Sequence, residues 1–117
     1  MKYITKTQWN FVKANAMDEM NKHPIAHRRV RAKVYFSAIV DGINKCADTD
    51  AQMLNATTYV YCRAVNFGTK RWNDWINTVE EVDVGDIIKE TEKTYRLSYG
   101  NSYLLKDNMM AIVVEDQ

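Results

Sequence analysis

The stretch QMLNATTYVYCRAVNF, residues 52–67, decides the fold. Its centre, Thr57-Thr58-Tyr59-Val60-Tyr61, has the β-branched and aromatic composition of a strand. Alternation nevertheless sorts the stretch into no clean faces. At helical spacing Met53, Ala56, Val60, Ala64 and Phe67 gather on one side with Leu54, Tyr61 and Val65. Asn55, Tyr59, Arg63 and Asn66 gather on the other. Thr49 and Gln52 supply a capping box ahead of the run. With period ranked above propensity, the expectation is a helix.

Helices are expected on both sides of it. Upstream, Thr5 and Gln8 form a capping box with Ile4 and Trp9 at the staple positions. This predicts a helix over residues 6–21 that buries Trp9, Val12, Ala16 and Met20, and Pro24 stops it. A second helix over residues 25–46 carries a broad apolar arc, including Tyr35, Phe36, Ile39, Val40 and Ile43, and leaves a narrow polar stripe. Downstream, Gly68 suits a helix end, and Thr69 can cap a short fourth helix on which Trp72, Trp75, Ile76 and Val79 recur at i, i+3, i+4 and i+7.

From Val82 the period changes to two. Val84-Gly85-Asp86-Ile87-Ile88 reads as a turn into a strand, residues 94–99 and 102–106 flank the hairpin signal Gly100-Asn101, and residues 109–115 form a last strand. Tyr95, Leu97, Tyr99 and Leu104 share the expected core face. The expected architecture is a single α+β domain over residues 1–117, with about four N-terminal helices (about 5–81) followed by a small C-terminal antiparallel β-meander (about 84–115).

Composition narrows the functional classes. A chain of 117 residues with 46% hydrophobic content is long enough for one modest core and excludes a disordered chain. No apolar run approaches the roughly 20 residues that span a bilayer, and no signal-peptide core follows Met1. Two cysteines, Cys46 and Cys62, make no disulfide scaffold, so a reducing cytoplasm is the expected compartment. Pro24 between His23 and His27 spoils a helical metal pair, and no metal or cofactor is expected. No phosphate loop, nucleophile elbow or kinase-type signature is present, and the chain reads as non-enzymatic.

Charge is divided along the chain. Residues 1–78 hold twelve Lys and Arg against six Asp and Glu, whereas residues 79–117 hold four against nine. Steering follows such local potential rather than the net +1. The basic segment 22–33 and the Tyr/Arg/Asn face of the third helix suggest a small macromolecule-binding protein of adaptor or inhibitor type, docking onto a protein partner through Arg29, Lys33, Tyr59, Arg63, Asn55 and Asn66. The alternative is a winged-helix-like nucleic-acid-binding protein using Arg28, Arg29, Arg31, Lys33, Lys70, Arg71 and Asn73. One basic and one acidic portion also make a head-to-tail or symmetric homo-oligomer possible, and neutralisation of the same charges within a monomer is the other reading.

Overall fold

Thr5 opens the helical layer as its sequence predicts. Its hydroxyl accepts from the Gln8 backbone N–H at 3.2 Å, and its own N–H donates to Gln8 Oε1 at 3.1 Å. Ile4 and Trp9, on either side of this box, are both buried. The first helix, α1, runs Lys6–Asn21, and the second, α2, runs Arg28–Cys46. The latter starts three residues later than expected because Pro24 begins a separate turn, closed by His27 N–H donating to the Pro24 carbonyl at 2.9 Å. A computed structural model describes residues 2–48, 55–66, 68, 73–100 and 102–116.

The decisive stretch is a strand, and this overturns the expected order of four helices and a meander. Seven strands accompany the two helices among the described residues. In chain order they are β1 (Tyr3–Thr5), β2 (Ala56–Asn66), β3 (Trp75–Asp83), β4 (Ile87–Lys89), β5 (Thr94–Leu97), β6 (Tyr103–Leu105) and β7 (Met109–Val114). The helix expected over 52–67 is replaced by β2 where it is described; residues 52–54 and Phe67 lie outside the described residues. The expected fourth helix is replaced by β3, with Thr69, Lys70, Arg71 and Trp72 outside the described residues. The architecture is α+β in a different sense: a four-stranded sheet ordered β1-β7-β2-β3 and a three-stranded sheet ordered β4-β5-β6.

Burial on both sides explains why β2 does not alternate in sequence. Val60 and Tyr61 are neighbours in the chain and both are 0% exposed. Val60 faces the helices, in a core with Ile4, Trp9, Val12, Ala16, Ile39, Ile43, Ala111 and Val113. Tyr61 faces the small sheet, in a second core with Val82, Leu97 and Leu104, flanked by Tyr59, Ile87 and Met109. A strand covered on both faces carries apolar side chains at odd and even positions alike, which erases the period-two signal. The β2–β3 ladder pairs Thr58 with Asp83 through to Asn66 with Trp75 without a register shift. β7 joins β2 antiparallel and β1 parallel, so the first and last strands of the chain lie side by side.

The C-terminal third keeps strands where they were expected but not the single antiparallel meander over 84–115: β4, β5 and β6 form the small sheet, whereas β7 leaves it to pair with β1 and β2 in the main sheet. β5 and β6 form the hairpin, pairing Tyr95 with Leu104, and β7 occupies the expected last strand. The loop between β5 and β6 spans residues 98–102 rather than two residues, with Leu97 N–H donating to the Ser102 carbonyl at 3.2 Å. Gly100 takes a φ of 75° in it, where glycine avoids the Cβ strain of other residues. Asn101 lies outside the described residues, and Tyr99, expected on the core face, is exposed.

Close packing between the helices rests on Gly42. A Cβ there would stand 2.5 Å from Val12 Cγ1. Gly42→Ala is expected to lower stability by about 1 kcal/mol, the overpacking of about 1–3 kcal/mol exceeding the helix-propensity gain of about 1 kcal/mol. Denaturant unfolding of the double-mutant cycle with Val12→Ala should show favourable coupling, because the smaller side chain vacates the contested space.

The second core holds a polar atom. Tyr61 Oη is buried and finds no hydrogen-bond partner among the described residues. Such a group costs about 1–3 kcal/mol, so Tyr61→Phe is expected to stabilise the protein by about 1 kcal/mol at neutral pH. Burial, with smaller contributions from Tyr95 and Tyr59, pushes the Tyr61 phenol above its usual value near 10.0. The folded state therefore favours the neutral phenol, and its contribution holds below pH 10 and is lost as pH rises beyond it. Urea unfolding at pH 7 and pH 11 should show a smaller alkaline loss for Tyr61→Phe than for the wild type, with a residual loss from Tyr35, which burial and Glu81 also push up.

Candidate functional site

The predicted docking residues separate into two groups on opposite faces of the main sheet. Tyr59 and Arg63 point away from the helices, on the Tyr61 side of β2. There Tyr59 packs edge-on against Tyr61, with ring centroids 6.5 Å apart, and Arg63 pairs with Glu80 at 3.1 Å. Asn55 precedes β2 with a φ of 53°, a left-handed conformation that asparagine tolerates, and its carbonyl accepts from Glu115 N–H at 3.1 Å. All three are engaged in the fold, and none approaches Arg29 or Lys33 on α2.

The second group converges at the far end of the β2–β3 ribbon. Asn66 ends β2 opposite Trp75, the first residue of β3. Asn66 Nδ2 donates to Asn73 Oδ1 at 3.3 Å, while Asn66 Oδ1 accepts from Gly68 N–H at 2.7 Å. Asp74 then reaches α2, with Arg29 Nη1 3.0 Å from its Oδ2. Lys33 lies one helical turn beyond Arg29 and lines a shallow hollow of about 220 Å³ with Phe36, Trp75, Ile76 and Asn77. So Arg29, Lys33, Asn66 and Asn73, expected in different roles, share one surface.

Trp75 is the residue that sequence reasoning misplaced. At helical spacing it belongs to an apolar stripe with Ile76 and Val79, whereas on a strand it points opposite to its neighbour Ile76. Ile76 is buried and Trp75 is 63% exposed. Exposure alternates from Trp75 to Asn77 on the strand, but the sequence there runs two apolar residues and then two polar ones, so no period-two signal was available to reveal it.

Electrostatics in the chain bring much of the basic front onto the acidic back. Lys6 pairs with Glu115 at 4.0 Å and Lys13 with Glu81 at 3.3 Å. Asp116 accepts from both the backbone N–H and the hydroxyl of Thr7 in the first turn of α1, which holds its carboxyl below the usual range. A carboxylate at a helix N-terminus also meets the positive end of the dipole. Within the basic segment, Arg29 pairs with Asp74, which belongs to the basic portion of the chain itself. Lys22 pairs locally with Glu19, and Arg31 turns inward to the His23 carbonyl and Asn21 Oδ1, holding the helical hairpin together. Arg28 is exposed, and Lys70 and Arg71 lie outside the described residues.

The remaining candidates have structural surroundings. β2 and β3 stand where the two helices of a helix-turn-helix were expected, so the winged-helix frame is not formed. Cys46 lines a groove between the helices and Cys62 a cleft under α2, where burial pushes its thiol up and away from thiolate reactivity. Among the described residues no group of three His, Cys, Asp or Glu stands close enough to hold a metal, and no helix is long and apolar enough to cross a membrane. Comparison of the chain with family models, curated proteins and solved structures gives no significant match to any of them.

Proposed function

We propose that this protein acts by docking onto a protein partner, with Trp75 as the anchor and Arg29, Lys33, Asn66 and Asn73 around it. The observation that carries the reading is an indole 63% exposed at the end of the ribbon, beside a cation and two amides already oriented by hydrogen bonds. Tryptophan and arginine are the residue types most enriched among residues that dominate binding energy. The amides are tied to each other, so they lose little further freedom on association. An acidic partner surface with an apolar pocket fits this site best, because Arg28 and Lys33, which the Arg29–Asp74 pair leaves uncompensated, give this end of α2 a positive potential.

The test is affinity capture from the native host with three baits: wild type, Trp75→Ala and Arg63→Ala. A protein retained by wild type and Arg63→Ala but weakened about 30-fold by Trp75→Ala, the scale of a hot-spot truncation of about 2 kcal/mol, supports the reading. Equal retention by all three baits contradicts it. Binding of labelled duplex DNA or RNA by wild type, with a steep salt dependence, would instead return the basic segment to nucleic-acid recognition.

A further inference from the structure

A second surface lies on the opposite, outer side of the helical layer. α1 and α2 run antiparallel, aligned by the Gly42–Val12 contact at one end and by Arg31 on the His23 carbonyl at the other. Between them runs an open groove of about 670 Å³ floored by Val34, Ala38 and Gly42. Phe11 stands at its rim, 72% exposed in the middle of a helix. A phenyl ring in that position gives α1 nothing that alanine would not, and its exposure leaves a large apolar surface in water.

The charges beside the groove indicate what covers it. Four charged residues line it: Glu19 pairs with Lys22, Lys45 is exposed and has no ion-pair partner among the described residues, and the same holds for Lys33 and Asp41. They are eight residues apart on α2, so about 12 Å separates them along the axis and they cannot pair within one chain. With Ser37 midway between them, Lys33, Ser37 and Asp41 form one ridge of spacing four, the ridge used when helices cross at about 50°.

We propose that this face is the seam of a two-fold homodimer, in which α2 crosses its counterpart at Ser37. The symmetry sets Lys33 of each protomer against Asp41 of the partner subunit, forming two ion pairs at once. The same rotation satisfies the apolar surface. Because Val12 meets Gly42 and the helices run antiparallel, the preceding Phe11 falls near the level of Ile43, six residues to one side of Ser37, and Val30, itself 43% exposed, lies seven residues to the other. Each Phe11 is thus carried over Val30 and Val34 of the partner subunit. The occupant is a second copy because one helix face supplies both members of each charge pair at positions a two-fold axis exchanges. This seam leaves Trp75, Arg29, Asn66 and Asn73 uncovered and shares Lys33 alone with the Trp75 surface.

The experiment is sedimentation velocity of the purified full chain over a concentration series, with circular dichroism as the control for folding. Wild type is expected to dimerise. Lys33→Asp and Asp41→Lys should each weaken the dimer by about tenfold, since reversal affects two symmetry-related pairs, each worth up to about 1 kcal/mol. The double variant K33D/D41K should restore it, and Phe11→Ser should weaken it without rescue by the charge swap. Trp75→Ala should leave it unchanged. A wild type that stays monomeric at every concentration overturns the proposal and frees the groove for a different protein. A dimer indifferent to both single reversals, a double variant no better than the singles, or a dimer dissolved by Trp75→Ala overturns the assignment of the seam.

Discussion

Pairing of β2 with β3 is the constraint on which the rest of the structure depends. The ladder runs unbroken from Thr58–Asp83 to Asn66–Trp75 and turns one stretch of sequence into a wall with two working faces. One face carries Val60 against the helices and the other carries Tyr61 against the small sheet. Without that register neither core is complete, because each draws its central residue from β2. The ribbon also fastens to the helical layer through a polar knot. Trp9 Nε1–H donates to Glu81, and Lys13 lies 3.3 Å from the same carboxylate and 5.6 Å over the Trp9 ring. A partly shielded carboxylate satisfied by both an indole N–H and an ammonium is well compensated, and it fixes where α1 lies along β3.

The division of charge along the chain takes on a physical meaning in this frame. The acidic C-terminal third is folded back onto the basic front, through Glu115, Asp116, Glu80 and Glu81. What this leaves over is not spread evenly. Cationic side chains concentrate at the N-terminal end of α2, where they add to the positive end of a helix dipole instead of offsetting it. Such an arrangement gives helix stability nothing, and it places positive potential beside the exposed Trp75.

Local signals in the sequence were legible and long-range ones were not. The box at Thr5 and Gln8 needs only residues three apart, and α1 begins there as expected. The turn at Val84-Gly85-Asp86 and the strands β5 to β7 show the same locality. At β2 the β-branched and aromatic composition pointed to a strand, but the missing alternation pointed away, and the missing alternation was a product of tertiary burial on both faces. At β3, Trp75, Ile76 and Val79 fit a helical stripe as well as a strand, and only the pairing with β2 separates them. The candidate site inherited both errors. Arg29 and Lys33 were recognisable from local composition, whereas their neighbours Asn66, Asn73 and Trp75 meet them only through the ribbon. Tyr59 and Arg63 formed a surface with Asn66 at helical spacing, and on a strand Asn66 turns to the other face.

The ribbon is tested most directly by nuclear Overhauser contacts across it in isotopically labelled protein. The account predicts backbone contacts between Cys62 and Val79 and between Tyr59 and Val82, whose residues face one another in the ladder. Sequential amide–amide and i to i+3 contacts through residues 56–66, with no contact to residues 75–83, would contradict it, and the two cores and the Trp75 surface would fall with it.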